Sequence, residues 1–183
     1  MTDGIAALPT FDADGRLLAV IEAPRGSANQ LKYDPGSGVF LLHKVLPPGN
    51  VFPLDFGFVP GTLGEDGDPL DVLVLMDEPA TPGVVVACRL LGVIEATQRR
   101  GKDTRRARGA RNDRLVAVAD KTHRYAACRS LRDVGSGLLD EVEAFFVSYN
   151  ARFDRRFTPS RRAGMASARS LVAEGRKAFA ASR

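Results

Sequence analysis

The sequence predicts a mainly β fold with added α: an OB-like five-stranded β-barrel flanked by C-terminal α-helices, with residues 1–183 forming a single domain. Three observations point to it. Short apolar runs punctuated by Gly and Pro fill the first two-thirds of the chain. From Leu138 onward the apolar residues recur at helical rather than alternating spacing. No helical pattern separates the apolar runs, as a parallel doubly wound sheet would require, and no repeat or heptad run appears.

In chain order, strands are expected at Leu17 to Ile21, Val39 to Leu42, Val51 to Val59, Val72 to Met76, Val84 to Ile94 and Leu115 to Val118. Turn-rich clusters fall between them: Pro35-Gly36-Ser37-Gly38, Pro47-Pro48-Gly49-Asn50, Gly64 to Pro69 and Pro79 to Gly83. Leu138, Val142, Phe145, Phe146 and Tyr149 define a helix over 138–150, and Met165, Ala168, Leu171, Val172 and Phe179 define a second over 163–181. Both are expected to pack on the barrel.

Composition narrows the function classes. The chain is 44% hydrophobic and 26% charged, which is globular. No basic start precedes an apolar run, and the stretch Val84 to Cys88 is broken at Arg89, far short of the roughly 20 residues a membrane helix needs. A soluble, cytoplasmic protein is expected. Cys88 and Cys128 stand apart, and with His43 and His123 they form no zinc spacing or disulfide framework. The net charge of +4 is uneven, because residues 99–114 hold eight Lys/Arg against Asp103 and Asp113. This segment reads as a basic loop insertion.

The chemistry-bearing cluster is Asp66-Gly67-Asp68-Pro69-Leu70-Asp71. Asp66 and Asp68 project to one side of an extended segment, and the Gly and Pro neighbours favour a turn that swings Asp71 toward them. Three convergent carboxylates repel one another unless a divalent cation supplies counter-charge, and oxygen-only ligands select Mg²⁺ or Mn²⁺. A calcium EF-hand loop is excluded, since Leu70 and Asp71 stand where it needs an oxygen ligand and a glycine. The plain structural alternative is a solvated acidic turn before a strand.

Around this cluster the chain resembles the soluble, family I inorganic pyrophosphatases. Their Asp-x-Asp-Pro-x-Asp signature is matched by Asp66 to Asp71, their Ile-Glu-x-Pro-x-Gly-Ser segment by Ile21 to Ser27, and their Tyr-Pro-x-x-Tyr-Gly-Phe-Ile-Pro segment by Phe52 to Pro60. Gly92-Val93-Ile94, Leu115 to Val118 and Phe145 to Tyr149 continue the resemblance in the same order. It implies Mg²⁺-dependent hydrolysis of pyrophosphate to two phosphates by a metal-activated water, in a homo-oligomer. The resemblance implies Asp66, Asp68 and Asp71 at the metals, Asp68 as the catalytic group that orients the water or takes its proton, and Glu22 as a supporting acid nearby. It also implies Lys44 and Tyr149 as phosphate contacts, to which Lys32 and Arg114 are added as cations at the same site.

The chain also departs from the family pattern. Gln30-Leu31-Lys32 stands where the family has Lys-Tyr-Glu, Phe56 replaces a tyrosine and Asn150 a lysine. Two further metal-binding aspartates fall on Gln98 and Asn112, with Asp113 one residue away as a substitute carboxylate. A second reading is therefore a catalytically impaired relative that holds a polyanion or partner through its arginine loop. Aromatic residues are absent from that loop, which argues against a single-strand nucleic-acid stacking site. A P-loop is excluded, because Asp103 follows Gly101-Lys102 and Ala96 occupies the first glycine position.

Overall fold

The computed structural model describes residues 4–101 and 109–182. Its strands are β1 (Leu17–Ala23), β2 (Asn29–Asp34), β3 (Val39–Val45), β4 (Asp55–Phe58), β5 (Asp71–Leu75), β6 (Val85–Arg100), β7 (Ala110–Arg111), β8 (Arg114–Ala119) and β9 (Arg155–Gly164). Its helices are α1 (Leu131–Val134), α2 (Ser136–Arg152) and α3 (Met165–Ala181). Strands β1, β4, β5, β8 and β6 pair in that order, and β6 returns to β1, which closes the expected five-stranded ring. The β5–β8 seam is parallel and the other seams are antiparallel.

The ring closes because its strands are apolar on both faces. On β5, Leu73 and Leu75 join one buried cluster with Phe52, Phe56 and Phe146 of α2, whereas Val72 and Val74 join another with Leu171 and Val172 of α3. β8 divides likewise between Val116 and Val118 on one side and Leu115 and Ala117 on the other. A strand covered on both faces reads as a continuous apolar run, which is why these two are plain in the sequence. A Cβ on Gly57 would stand 1.9 Å from the Val20 carbonyl oxygen, so glycine is what lets β4 approach β1.

Several expectations need correction. The strand expected at Val51 to Val59 is only Asp55–Phe58. Pro53 has no amide to donate, and Phe52 leaves the ladder to bury its ring beside Phe56 and Phe145. β2 and β9 were not expected at all; β9 carries four arginines and a proline yet pairs with β6 from Gly92 to Arg100. The first helix runs beyond 138–150 to Ser136–Arg152, and the second begins at Met165 because Ala163 and Gly164 still belong to β9. The basic segment 99–114 is not one loop. Arg99 and Arg100 end β6, Arg111 ends β7 and Arg114 starts β8, while 102–108 lie outside the described residues.

Candidate functional site

The acidic turn is built from the backbone outward. Gly64 N–H donates to the Asp68 carbonyl at 2.7 Å, Gly67 N–H to the Gly64 carbonyl at 3.2 Å, and Asp68 N–H to Asp66 Oδ1 at 3.2 Å. Gly67 has φ +89°, where a side chain would be strained. Underneath, Leu70 N–H donates to Thr62 Oγ1 at 3.0 Å, and the buried Thr62 hydroxyl donates to the Val59 carbonyl at 2.6 Å. These bonds fix where Asp66 and Asp68 stand and where Asp71 enters β5.

The turn faces a cavity of about 520 Å³, and all the candidates bring a wall to it: Glu22, Lys32, Lys44, Asp66, Asp68, Asp71, Arg114 and Tyr149. Cations from other elements oppose the acids. Lys32 Nζ of β2 lies 2.6 Å from Asp68 Oδ1, and Arg114 Nη1 of β8 lies 2.6 Å from Asp71 Oδ2. Arg114 also donates to the Asn112 side-chain oxygen and to the Asp113 carbonyl at 3.0 Å, and its guanidinium sits 4.9 Å from the Phe146 ring and 5.1 Å from that of Phe157. The aromatic faces make a buried arginine tolerable. Lys44 Nζ donates to Tyr149 Oη at 3.1 Å, and Tyr149 Oη donates to Gln30 Oε1 at 2.5 Å.

The sequence predicts three carboxylates converging on one point, and here the structure differs. Among the described residues no three His, Cys, Asp or Glu side chains are gathered closely enough to hold a metal ion. Lys32 pairs with Asp68 and Arg114 with Asp71, so side-chain cations supply counter-charge to two of the three carboxylates. Compensation is incomplete. Burial pushes the Glu22 carboxyl up to about 8 and Asp71 up to about 6, and burial also raises Asp66. Asp66 forms no ion pair among the described residues. Asp66, Asp68 and Asp71 are an oxygen-only donor set, the chemistry that magnesium-type cations take. Gln98 and Asn112 also line the cavity but add no charge. Asp113 does not replace them. It accepts the Ala96 amide at 2.9 Å, pairs with Arg111, and lines a different cavity.

The sequence model of the inorganic pyrophosphatase family matches residues 19–180. The chain belongs to the inorganic pyrophosphatase family. It is 39% identical over 145 residues to the inorganic pyrophosphatase of Nostoc sp., covering 79% of this chain and 80% of that one. To the Thermus thermophilus inorganic pyrophosphatase it is 38% identical over 148 residues, covering 80% and 79%. The crystal structure of the Thermus thermophilus enzyme superposes with a TM-score of 0.85 at 31% identity, over 97% of this chain and 99% of that one. A Helicobacter pylori inorganic pyrophosphatase superposes at 0.81, with 28% identity over 95% and 99%.

One lining residue of this pyrophosphatase-family chain had no sequence signal. Arg155 reaches the cavity from β9, a strand whose arginines and proline mask its periodicity. Only the ladder with β6 reveals which of these arginines turns inward.

Proposed function

We infer that this chain is an inorganic diphosphatase that hydrolyses pyrophosphate to two phosphates in a divalent-metal-dependent reaction, with Mg²⁺ the first choice and Mn²⁺ a substitute. The observation that carries this reading is the opposition, across one cavity in a pyrophosphatase-family fold, of the Asp66-Asp68-Asp71 turn to Lys32, Lys44, Arg114 and Tyr149. Asp66 and Asp71 would hold the metal. When bound, it supplies Lewis acidity and lowers the pKa of water from 15.7 toward neutrality.

The chain's own residues do the rest. Lys44, Tyr149 and Arg114 bind phosphate oxygens and balance the charge that gathers on the leaving phosphate, the main source of catalysis in phosphoryl transfer. Lys32 exchanges its Asp68 partner for a phosphate oxygen as substrate enters. That exchange frees Asp68 to orient the attacking water and take one of its protons. The water oxygen bonds to one phosphorus, the bridging P–O bond breaks, and its electron pair leaves with the second phosphate. Glu22, buried and holding the Tyr33 amide at 3.1 Å, supports the wall behind Lys32.

Phosphate release from pyrophosphate, followed across Mg²⁺ concentration, tests this. Wild-type protein should turn over, and Asp68→Asn should lose about 10²–10⁴-fold, the usual worth of a positioned proton acceptor. No wild-type turnover above that variant would rule the activity out. Homo-oligomerisation is carried over from the family resemblance. The unpaired, buried Cys88 and Cys128 fit a reducing cytoplasm, and among the described residues no helix is long and apolar enough to cross a membrane.

A second reading, an impaired relative that binds a polyanion, is favoured by the neutral Gln98 and Asn112 at the cavity. Steeply salt-dependent nucleic-acid binding that disappears when Arg99 to Arg111 are deleted would favour it, and absent or salt-insensitive binding would count against it.

A further inference from the structure

Arg155 opens β9 directly across the ladder from Arg100, and Arg156 stands across from Arg99. Directly opposed residues share a face and successive residues alternate, so Arg155 and Arg100 lie with Phe157 and Gln98, whereas Arg156 and Arg99 lie on the reverse. Phe157 is buried beneath the Arg114 guanidinium and Gln98 lines the cavity, so the first face is the inner one. Arg155 itself lines the cavity and is half-buried, while Arg156 is exposed.

Like charges set directly opposite each other across a ladder are unfavourable. Among the described residues neither Arg100 nor Arg155 forms an ion pair, so no direct carboxylate contact offsets the repulsion. The positive charge of Arg155 is felt within the site: after burial it is the next cause of the Lys44 ammonium falling to about 8. The neutral amides on these walls are already committed. Gln30 accepts the Tyr149 hydroxyl, and Asn150 Nδ2 donates to the Phe146 carbonyl at 2.8 Å. A cation beside Arg100 and Lys44 that faces the cavity without an ion pair of its own is stabilised by an anion that enters.

We propose that Arg155 is a phosphate-binding residue of this site, gripping with Lys44 one phosphate of a diphosphate anion and supplying from β9 a charge that Gln30 and Asn150 do not provide. The proposal rests on the diphosphatase reading and adds to it a residue from an element that carries none of the family motifs. The guanidinium fork takes two phosphate oxygens at once, while Lys44 acts as a point charge.

Titration calorimetry with methylenediphosphonate, whose bridging carbon resists hydrolysis, tests it on the full chain at fixed Mg²⁺. Arg155→Gln should bind about ten- to a hundred-fold more weakly, the worth of a charge-assisted pair of hydrogen bonds. Arg155→Lys keeps the charge without the fork and should fall between. Arg156→Gln, its neighbour on the outer face, should stay within about twofold of wild type, and the KM for pyrophosphate should follow the same order. An Arg155→Gln affinity within about twofold of wild type overturns the proposal, as does an equal loss in Arg156→Gln, which would mark a diffuse charge effect. Arg155-dependent diphosphonate binding without pyrophosphate turnover leaves this inference standing and removes the hydrolytic reading. Wild-type turnover with an unaffected Arg155→Gln does the reverse.

Discussion

Arg114 is where the charge of the site meets the packing of the core. Its Nη1 holds Asp71 and Asn112, three aromatic rings surround its guanidinium, and its buried Nε has no hydrogen-bond partner among the described residues. A residue so placed is structural as well as ligand-binding, because removing it leaves the Asp71 charge beside an apolar wall. Arg114→Met, which keeps bulk against Phe146, should therefore destabilise the fold by about 2–4 kcal/mol. Adding Asp71→Asn should recover roughly half of that loss, since the second change removes the stranded charge. Urea denaturation of the two single variants and the double variant measures both; additive losses would show that the two groups are uncoupled in the folded state.

At the scale of elements, close approach decides as much as apolar pattern. Gly57→Ala must push β4 away from β1, because the added carbon has no room beside the Val20 carbonyl. The expected cost is about 3 kcal/mol or more, read as a lower denaturation midpoint, and an unchanged midpoint would mean that the seam gives way freely. The same contrast explains what the sequence could and could not reveal. β5 and β8 were legible because Val72 to Leu75 and Leu115 to Val118 are buried on both faces. β2 was not, since Asn29-Gln30-Leu31-Lys32 has no apolar face, and β9 was not, since its arginines are held by the β6 ladder rather than by burial. The Asp66 to Asp71 turn could be read from the residues that make it. Its ion pairs with Lys32 and Arg114 could not, because those partners arrive from strands far away in sequence.

For the whole molecule, the walls of the cavity differ in how firmly they are held. The acidic turn, β8 and α2 are anchored to the closed barrel and its aromatic cluster. Lys32 and Lys44 instead ride on β2 and β3, which pair only with each other and leave Leu41, Leu42 and Val45 exposed. Inorganic phosphate supplied with Mg²⁺, and so held between the lysines and the anchored acidic turn, should tie the hairpin down. Amide exchange across the β2–β3 ladder should then slow about tenfold or more at saturating phosphate, while exchange in β5 and β8 stays unchanged. Equal protection throughout would show that the hairpin is no looser than the barrel. The hairpin meets the barrel and α2 through side chains, such as Glu22 on the Tyr33 amide and Lys44 on Tyr149, rather than through a strand ladder, and this also bears on timing. The lysines that welcome the anion must let two phosphates go, and a two-stranded ribbon can peel away without opening the barrel. In a diphosphatase whose turnover is limited by product release, the loosening of these two strands rather than the bond being cut would then set the rate.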